Sequence, residues 1–143
     1  MHRFAFLLAL LLAGCSRGGE PLTEPAWGTA TCAQCRSAIG DRRHAAQMRL
    51  ADGTTVAFDD PSCLFRALAS TTAAPPVIRF HGPGAEEWIE ASAAWFAKVP
   101  GQPTPHGDGW AAYPSFAAAQ DAVALAGGGE ILPFDQARGR LGQ

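Results

Sequence analysis

Residues 54–69 read TTVAFDDPSCLFRALA, and residues 109–125 read GWAAYPSFAAAQDAVAL. Both open on a short apolar run suited to a strand, 54–58 in the first and 109–113 in the second. A Pro-Ser pair follows in each, at 61–62 and 114–115, and then a helix-forming stretch. Asp60 suits a helix N-cap and Pro61 the first helical position, where a missing N–H costs nothing. Leu64, Phe65 and Leu68 then fall on one face of the helix. The second helix covers Phe116–Leu125 and stops at Gly127-Gly128-Gly129, since glycine accepts the left-handed conformation that ends helices.

Working outward, each copy gains one strand before and one after. Residues 44–50 (HAAQMRL) join 54–58 through Asp52-Gly53, a hairpin signal. Residues 77–80 (VIRF) close the first copy. In the second copy, residues 93–99 (AAWFAKV) precede and residues 130–134 (EILPF) follow. The two copies align at an offset of 53 or 54 residues. One copy of about 45 residues buries too little surface to stand alone. The expected fold class is therefore α+β, with two small ββαβ units packed into one compact domain. That domain spans residues 31–135, in halves of about 31–90 and 91–135, and residues 136–143 read as a loose tail.

The other end of the chain reads as an address. Residues 1–15 are MHRFAFLLALLLAGC, with Arg3 ahead of a ten-residue apolar run. That run is too short for a membrane span, which takes about 20 residues, and it fits a signal-peptide core. Leu12-Ala13-Gly14-Cys15 has the form of a bacterial lipobox. Residues 1–14 are then a lipoprotein signal peptide, and Cys15 is the lipidated residue that anchors the protein to a membrane. Ser16 follows, with no Asp there to mark inner-membrane retention. The expected location is the periplasmic side of a bacterial membrane, with outer-membrane sorting open. Residues 15–30 are rich in Gly, Pro and Glu and read as a flexible tether, with Trp27 as the residue that packs on the domain. The 143 residues carry 11 Lys+Arg against 13 Asp+Glu, for a formal charge of −2. No basic block is present, so nucleic acid is not an expected partner.

With Cys15 set aside, Cys32, Cys35 and Cys63 remain. An odd number of cysteines in an oxidising compartment points to a reactive or metal-binding thiol. Cys32-Ala-Gln-Cys35 places two thiols at a spacing that suits one metal ion, or a redox dithiol. No second C-x-x-C completes a four-Cys zinc site, so a site completed by His stays open. Cys63, near a helix N-terminus, should be acidified by the helix dipole. His106 sits in the middle of a long polar loop, GQPTPHGDG at 101–109, and such loops often carry functional side chains. His44 reads as a surface or edge residue, His81 as a residue ahead of a Gly-Pro turn, Met48 as core, Asp59-Asp60 as a turn and helix cap, and Trp88, Trp95 and Trp110 as core aromatics.

Taken together, the pieces resemble the NosL-like family, copper-binding lipoproteins that assist maturation of nitrous oxide reductase. The matching stretches are the lipobox, Cys32-x-x-Cys35, Ala45-Ala46-Gln47, Phe58-Asp59-Asp60 with Cys63, Thr104-Pro105-His106-Gly107-Asp108-Gly109, and Gly128-Gly129-Glu130-Ile131-Leu132 with Phe134-Asp135. The family fold is a pair of ββαβ units. Two departures stand out. The family continues its cysteine as C-G-M where this chain has Cys35-Arg36-Ser37, and its T-P-M-G loop has His106 here in place of Met. The resemblance implies a Cu(I) site drawn from Cys32, Cys35, His106 and Cys63, with no catalytic residues, and a copper-receiving enzyme or copper transporter as partner. Without the two thioethers, selection of copper over zinc should be weaker. Two alternatives stay beside this reading. One is a thiol–disulfide oxidoreductase built on the C-x-x-C pair. The other is a zinc or purely structural lipoprotein.

Overall fold

The structure, a computed structural model, describes residues 22–143 except 76 and 85. The expected signal peptide, the lipobox with Cys15, and the first part of the tether lie outside the described residues. No helix among the described residues is long and apolar enough to cross a membrane.

The chain runs β1 (Ala46–Arg49), β2 (Thr55–Phe58), α1 (Pro61–Ala69), β3 (Val77–Phe80), β4 (Ile89–Glu90), β5 (Trp95–Lys98), β6 (Trp110–Tyr113), α2 (Phe116–Leu125), β7 (Glu130–Pro133) and α3 (Phe134–Leu141). One antiparallel sheet has the order β2-β1-β3-β4 and the other β6-β5-β7. The first strand of each unit is thus central, flanked by its hairpin partner and by the strand after the helix. The expected pair of ββαβ units is present. Asp60 caps α1, its side chain accepting the Ser62 N–H at 2.8 Å, with Pro61 at the first helical position. Ser115 caps α2 by accepting the Ala118 N–H at 3.1 Å.

The units share one core. Phe65 of α1 lies 5.7 Å from Phe80 of β3, 5.0 Å from Phe96 of β5 and 5.5 Å from Phe134 of α3, ring centre to ring centre. Phe80 and Phe96, one from each sheet, meet edge to face at 4.8 Å. Burial of such large rings supplies most of the hydrophobic stabilisation of a small domain. Gly82 seals the seam: a Cβ there would stand 2.0 Å from the Ala112 carbonyl oxygen in β6. A smaller apolar cluster, Ala97, Val99, Ala111, Tyr113 and Ala119, lies between the second sheet and α2.

Three expectations need correction. The tail read as loose over 136–143 is largely α3, whose residues Ala137 and Leu141 are buried and which packs on α1. Phe134, Ala137 and Leu141 recur at helical spacing, a signal hidden by the polar residues around them. The tether is not free over its described part, residues 22–30. Leu22 is buried, its carbonyl accepts from Arg79 at 2.9 Å, and the Thr23 carbonyl accepts from Gln47 at 2.9 Å. Trp27 does pack, stacking on Trp88 at 6.2 Å. Finally, His44 is buried and not at the surface, and His81 is buried as well. His44 lies in a 3-10 turn, Arg42–His44, ahead of β1. His81 sits 4.2 Å from the Trp88 ring and accepts at Nε2 from Arg42 Nε–H at 3.2 Å.

The hairpins of the two units differ where it matters for function. Residues 50–54 link β1 to β2, whereas residues 99–109 link β5 to β6. The longer link is long enough to reach the first unit, and His106 is on it.

Candidate metal centre

Three segments build the centre. The first is the C-x-x-C turn, closed by a bridge between Thr31 and Ala38. Within it the Cys32 N–H donates to the Ser37 carbonyl at 2.8 Å, and the Arg36 N–H to the Cys32 carbonyl at 3.1 Å. Arg36 takes φ +70° to turn the chain back, a conformation that costs an L-residue about 1–2 kcal/mol. The Ala33 N–H donates to Ala57 of β2 at 2.9 Å, which fastens the turn to the sheet edge. Cys32 is thereby fully buried and Cys35 left part-exposed.

The second segment is the β2–α1 junction. Asp59 follows the last residue of β2 and Cys63 lies in the first turn of α1, both buried. The Sγ atoms of Cys32, Cys35 and Cys63 and a carboxylate oxygen of Asp59 all lie within 4.8 Å of one another. Cys35 Sγ–H donates to Asp59 Oδ2 at 3.3 Å. The third segment is the 99–109 loop. His106 Nε2 lies 3.2 Å from Cys63 Sγ and 3.4 Å from Asp59 Oδ1. Its side chain is 28% exposed, so it forms the outer wall of the centre.

The electrostatics follow from this crowding. The Cys63 S–H donates to Cys32, and with help from the Cys35 and Asp59 backbone N–H groups it pulls the Cys32 thiol down to about 6 against the cost of burial. Contrary to the acidification expected from the helix dipole, Cys63 is pushed far up, because it gives that hydrogen bond, is buried, and faces the Cys32 and Asp59 charges. Burial raises Cys35. Burial also works against the Asp59 carboxylate, but hydrogen bonding from the surrounding thiols, Cys35 among them, and the nearby His106 outweigh it and keep Asp59 below its ordinary value. Of the three thiols, Cys32 is thus the one most readily ionised, and it lies beside the Asp59 carboxylate. Asp60, beside it, is pushed up to about 6 by burial and by Asp108, and its Oδ2 has no hydrogen-bond partner among the described residues.

No protein-family model and no curated protein matches the chain. Among solved structures, the copper chaperone NosL from Shewanella denitrificans superposes with a TM-score of 0.69 at 16% identity, over 82% of this chain and 96% of that one. The chain has the NosL fold.

On that NosL fold, the structure brings together Cys32, Cys35 and Cys63 and sets His106 at the edge of the cluster, against Cys63 and Asp59. It adds Asp59, which sequence reading assigned to the turn and cap. Asp60 alone is the cap. The available signal for Asp59 was the doubled acid: one carboxylate caps the helix, and the other is then free to face Cys63. Met48 is a core residue, as expected. Among the indoles, Trp110 is buried, while Trp88 and Trp95 are half-buried. His44 stands apart, 3.9 Å from Asp41, with burial pushing its ring below the usual range.

Proposed function

We propose that this chain carries copper. Cys32, Cys35 and Cys63 hold Cu(I) as thiolates, with His106 and Asp59 completing the donor set. The ion passes by ligand exchange to a copper-receiving enzyme or transporter, with nitrous oxide reductase as the expected final destination. Lipid on Cys15 keeps the protein on the periplasmic face of a bacterial membrane while it does so. The observation that supports this most is the convergence of three thiols and a carboxylate within 4.8 Å on the fold of a copper chaperone. Soft thiolates favour Cu(I). Loading must displace the protons of Cys35 and Cys63, so affinity rises with pH. Ligand exchange calls for no general acid or base, and the function is transport of an ion without catalysis.

The oxidoreductase alternative fits the geometry less well. Thiol exchange needs an accessible thiolate. Here the acidified thiol, Cys32, is fully buried, and the accessible one, Cys35, is raised. Zinc is the closer rival, because three thiolates and an imidazole also make a zinc donor set. Protein isolated anaerobically with reductant decides between them. Stoichiometric Cu(I), held more tightly than micromolar and weakened by Cys35→Ser, supports the proposal. Zinc that resists exchange, with unfolding on chelation, supports the structural alternative and refutes transport.

A further inference from the structure

Asp108 is the hub of the loop that carries His106. Its Oδ1 accepts the Trp110 N–H at 3.0 Å and the Thr104 hydroxyl at 3.2 Å. The Thr104 oxygen in turn accepts the Gly109 N–H at 3.2 Å. These bonds close a turn with His106 inside it. The other carboxylate oxygen, Oδ2, accepts from Ser62 Oγ at 2.5 Å. Ser62 is buried and directly precedes Cys63 in the first turn of α1. A single carboxylate therefore ties the long hairpin of the second unit to the helix turn of the first. It does so beside the place where His106 Nε2 comes within 3.2 Å of Cys63 Sγ.

We propose that Asp108 is a positioning residue. Its bond to Ser62 holds the His106 ring on the thiol cluster and so sets how firmly the ion is kept and how fast it is handed on. This rests on the copper-carrying reading above. Two of the three thiols, Cys32 and Cys63, are fully buried. The part-exposed donors are Cys35 and His106. These two form the exposed side of the donor cluster, and of the two only His106 stands on a long loop. Fixing that loop is thus the lever on release. The Ser62–Asp108 bond is well placed for this role because it reaches the helix residue next to a donor without touching the ion.

The test is anaerobic competition of Cu(I) against a chromophoric Cu(I) chelator, with stopped-flow transfer to the same chelator, on the full chain. Asp108→Ala and Ser62→Ala should each weaken retention about tenfold, the usual size of an outer-shell effect on a metal site, and speed transfer by a similar factor. Asp108→Asn should stay within about twofold of wild type, because its amide oxygen replaces Oδ1 and its amide N–H₂ donates to the Ser62 hydroxyl. In a His106→Ala background, Asp108→Ala should add nothing, since its effect acts through the ring. Ser62→Ala leaves the turn within the loop intact, so it carries the test if Asp108→Ala does not fold. The inference is overturned if Ser62→Ala retains copper like wild type, if Asp108→Asn falls as far as Asp108→Ala, or if the Asp108 and His106 effects multiply. A wild-type chain that holds no Cu(I) sinks the copper reading and this inference together. That outcome is distinct from a wild type that binds and a Ser62→Ala variant that matches it.

Discussion

Replacing Cys63 by Ala should change how the metal-free protein responds to pH. In the native centre the Cys63 S–H is the leading cause that brings Cys32 down from 9.0 to about 6. The sign follows from linkage. An acid whose folded value is depressed contributes stability that is fully present above its unfolded value and lost as pH falls through its folded value. Between pH 6 and 9 the unfolded chain holds one more proton, on Cys32, than the native chain. Stability of the reduced apo-protein should therefore rise with pH across that window. Three units at 1.36 kcal/mol each set an upper figure of about 4 kcal/mol, and about 2 kcal/mol is a fair expectation for a thiol coupled this closely to its neighbours. Above pH 9 the sign reverses. Cys35 and Cys63 are raised, so they stay protonated in the native state while the unfolded chain ionises them. Stability should peak near the ordinary thiol value. Urea unfolding with a non-thiol reductant, repeated across pH, reads the profile, and ultraviolet thiolate absorbance reads the ionisation directly. Cys63→Ala should move the thiolate midpoint up toward 9 and flatten the rise. Cys63→Ser should retain much of it, because a hydroxyl still donates. If the midpoint stays near 6 in Cys63→Ala, the donor has been misassigned and the account of the centre's electrostatics is wrong.

Two further outcomes test the frame that positions the centre. Gly82→Ala sets a Cβ 2.0 Å from the Ala112 carbonyl oxygen at the seam of the two units, so it should cost about 3 kcal/mol as overpacking against backbone; an unchanged unfolding midpoint would show that the seam yields. Leu141→Ala removes a buried α3 side chain on the side packed against α1 and should cost about 2–3 kcal/mol, whereas a loose tail would give no change in thermal or urea unfolding.

The fold was legible because the ββαβ unit announces itself twice in local chemistry. Asp60-Pro61 and Pro114-Ser115 mark helix starts that need no tertiary information; Asp60 caps the first helix as expected, and Ser115 caps the second. Strand β3 and helix α2 fall on the residues that composition marks for them. What failed were segments whose structure depends on a distant surface. Helix α3 has two arginines, an aspartate and a glycine among its eight residues, and only the α1 side explains why Ala137 and Leu141 are buried. Leu22 and Thr23 are fixed by Arg79 and Gln47, which pair across β3 and β1. No local pattern in residues 15–30 encodes that pairing.

The centre divides along the same line. Cys32 and Cys35 lie three positions apart and were found by spacing, and Cys63 by its oddness in number. Asp59 was missed because two neighbouring acids had one evident task, and only the turn of the chain after β2 shows that the task belongs to Asp60. His106 shows what a repeat can do when its copies diverge. The short hairpin at 50–54 and the long one at 99–109 occupy equivalent places in the two units. The extra length lets the second unit supply an imidazole to a cluster whose thiols all come from the first. Neither unit then holds the full donor set. Any motion that parts the two units, or only frees the loop from Ser62, would open the centre on its His106 side and leave the three thiols together. On the proposed copper-carrying reading, that division lets the three thiols retain the ion while a partner's ligand replaces the imidazole first.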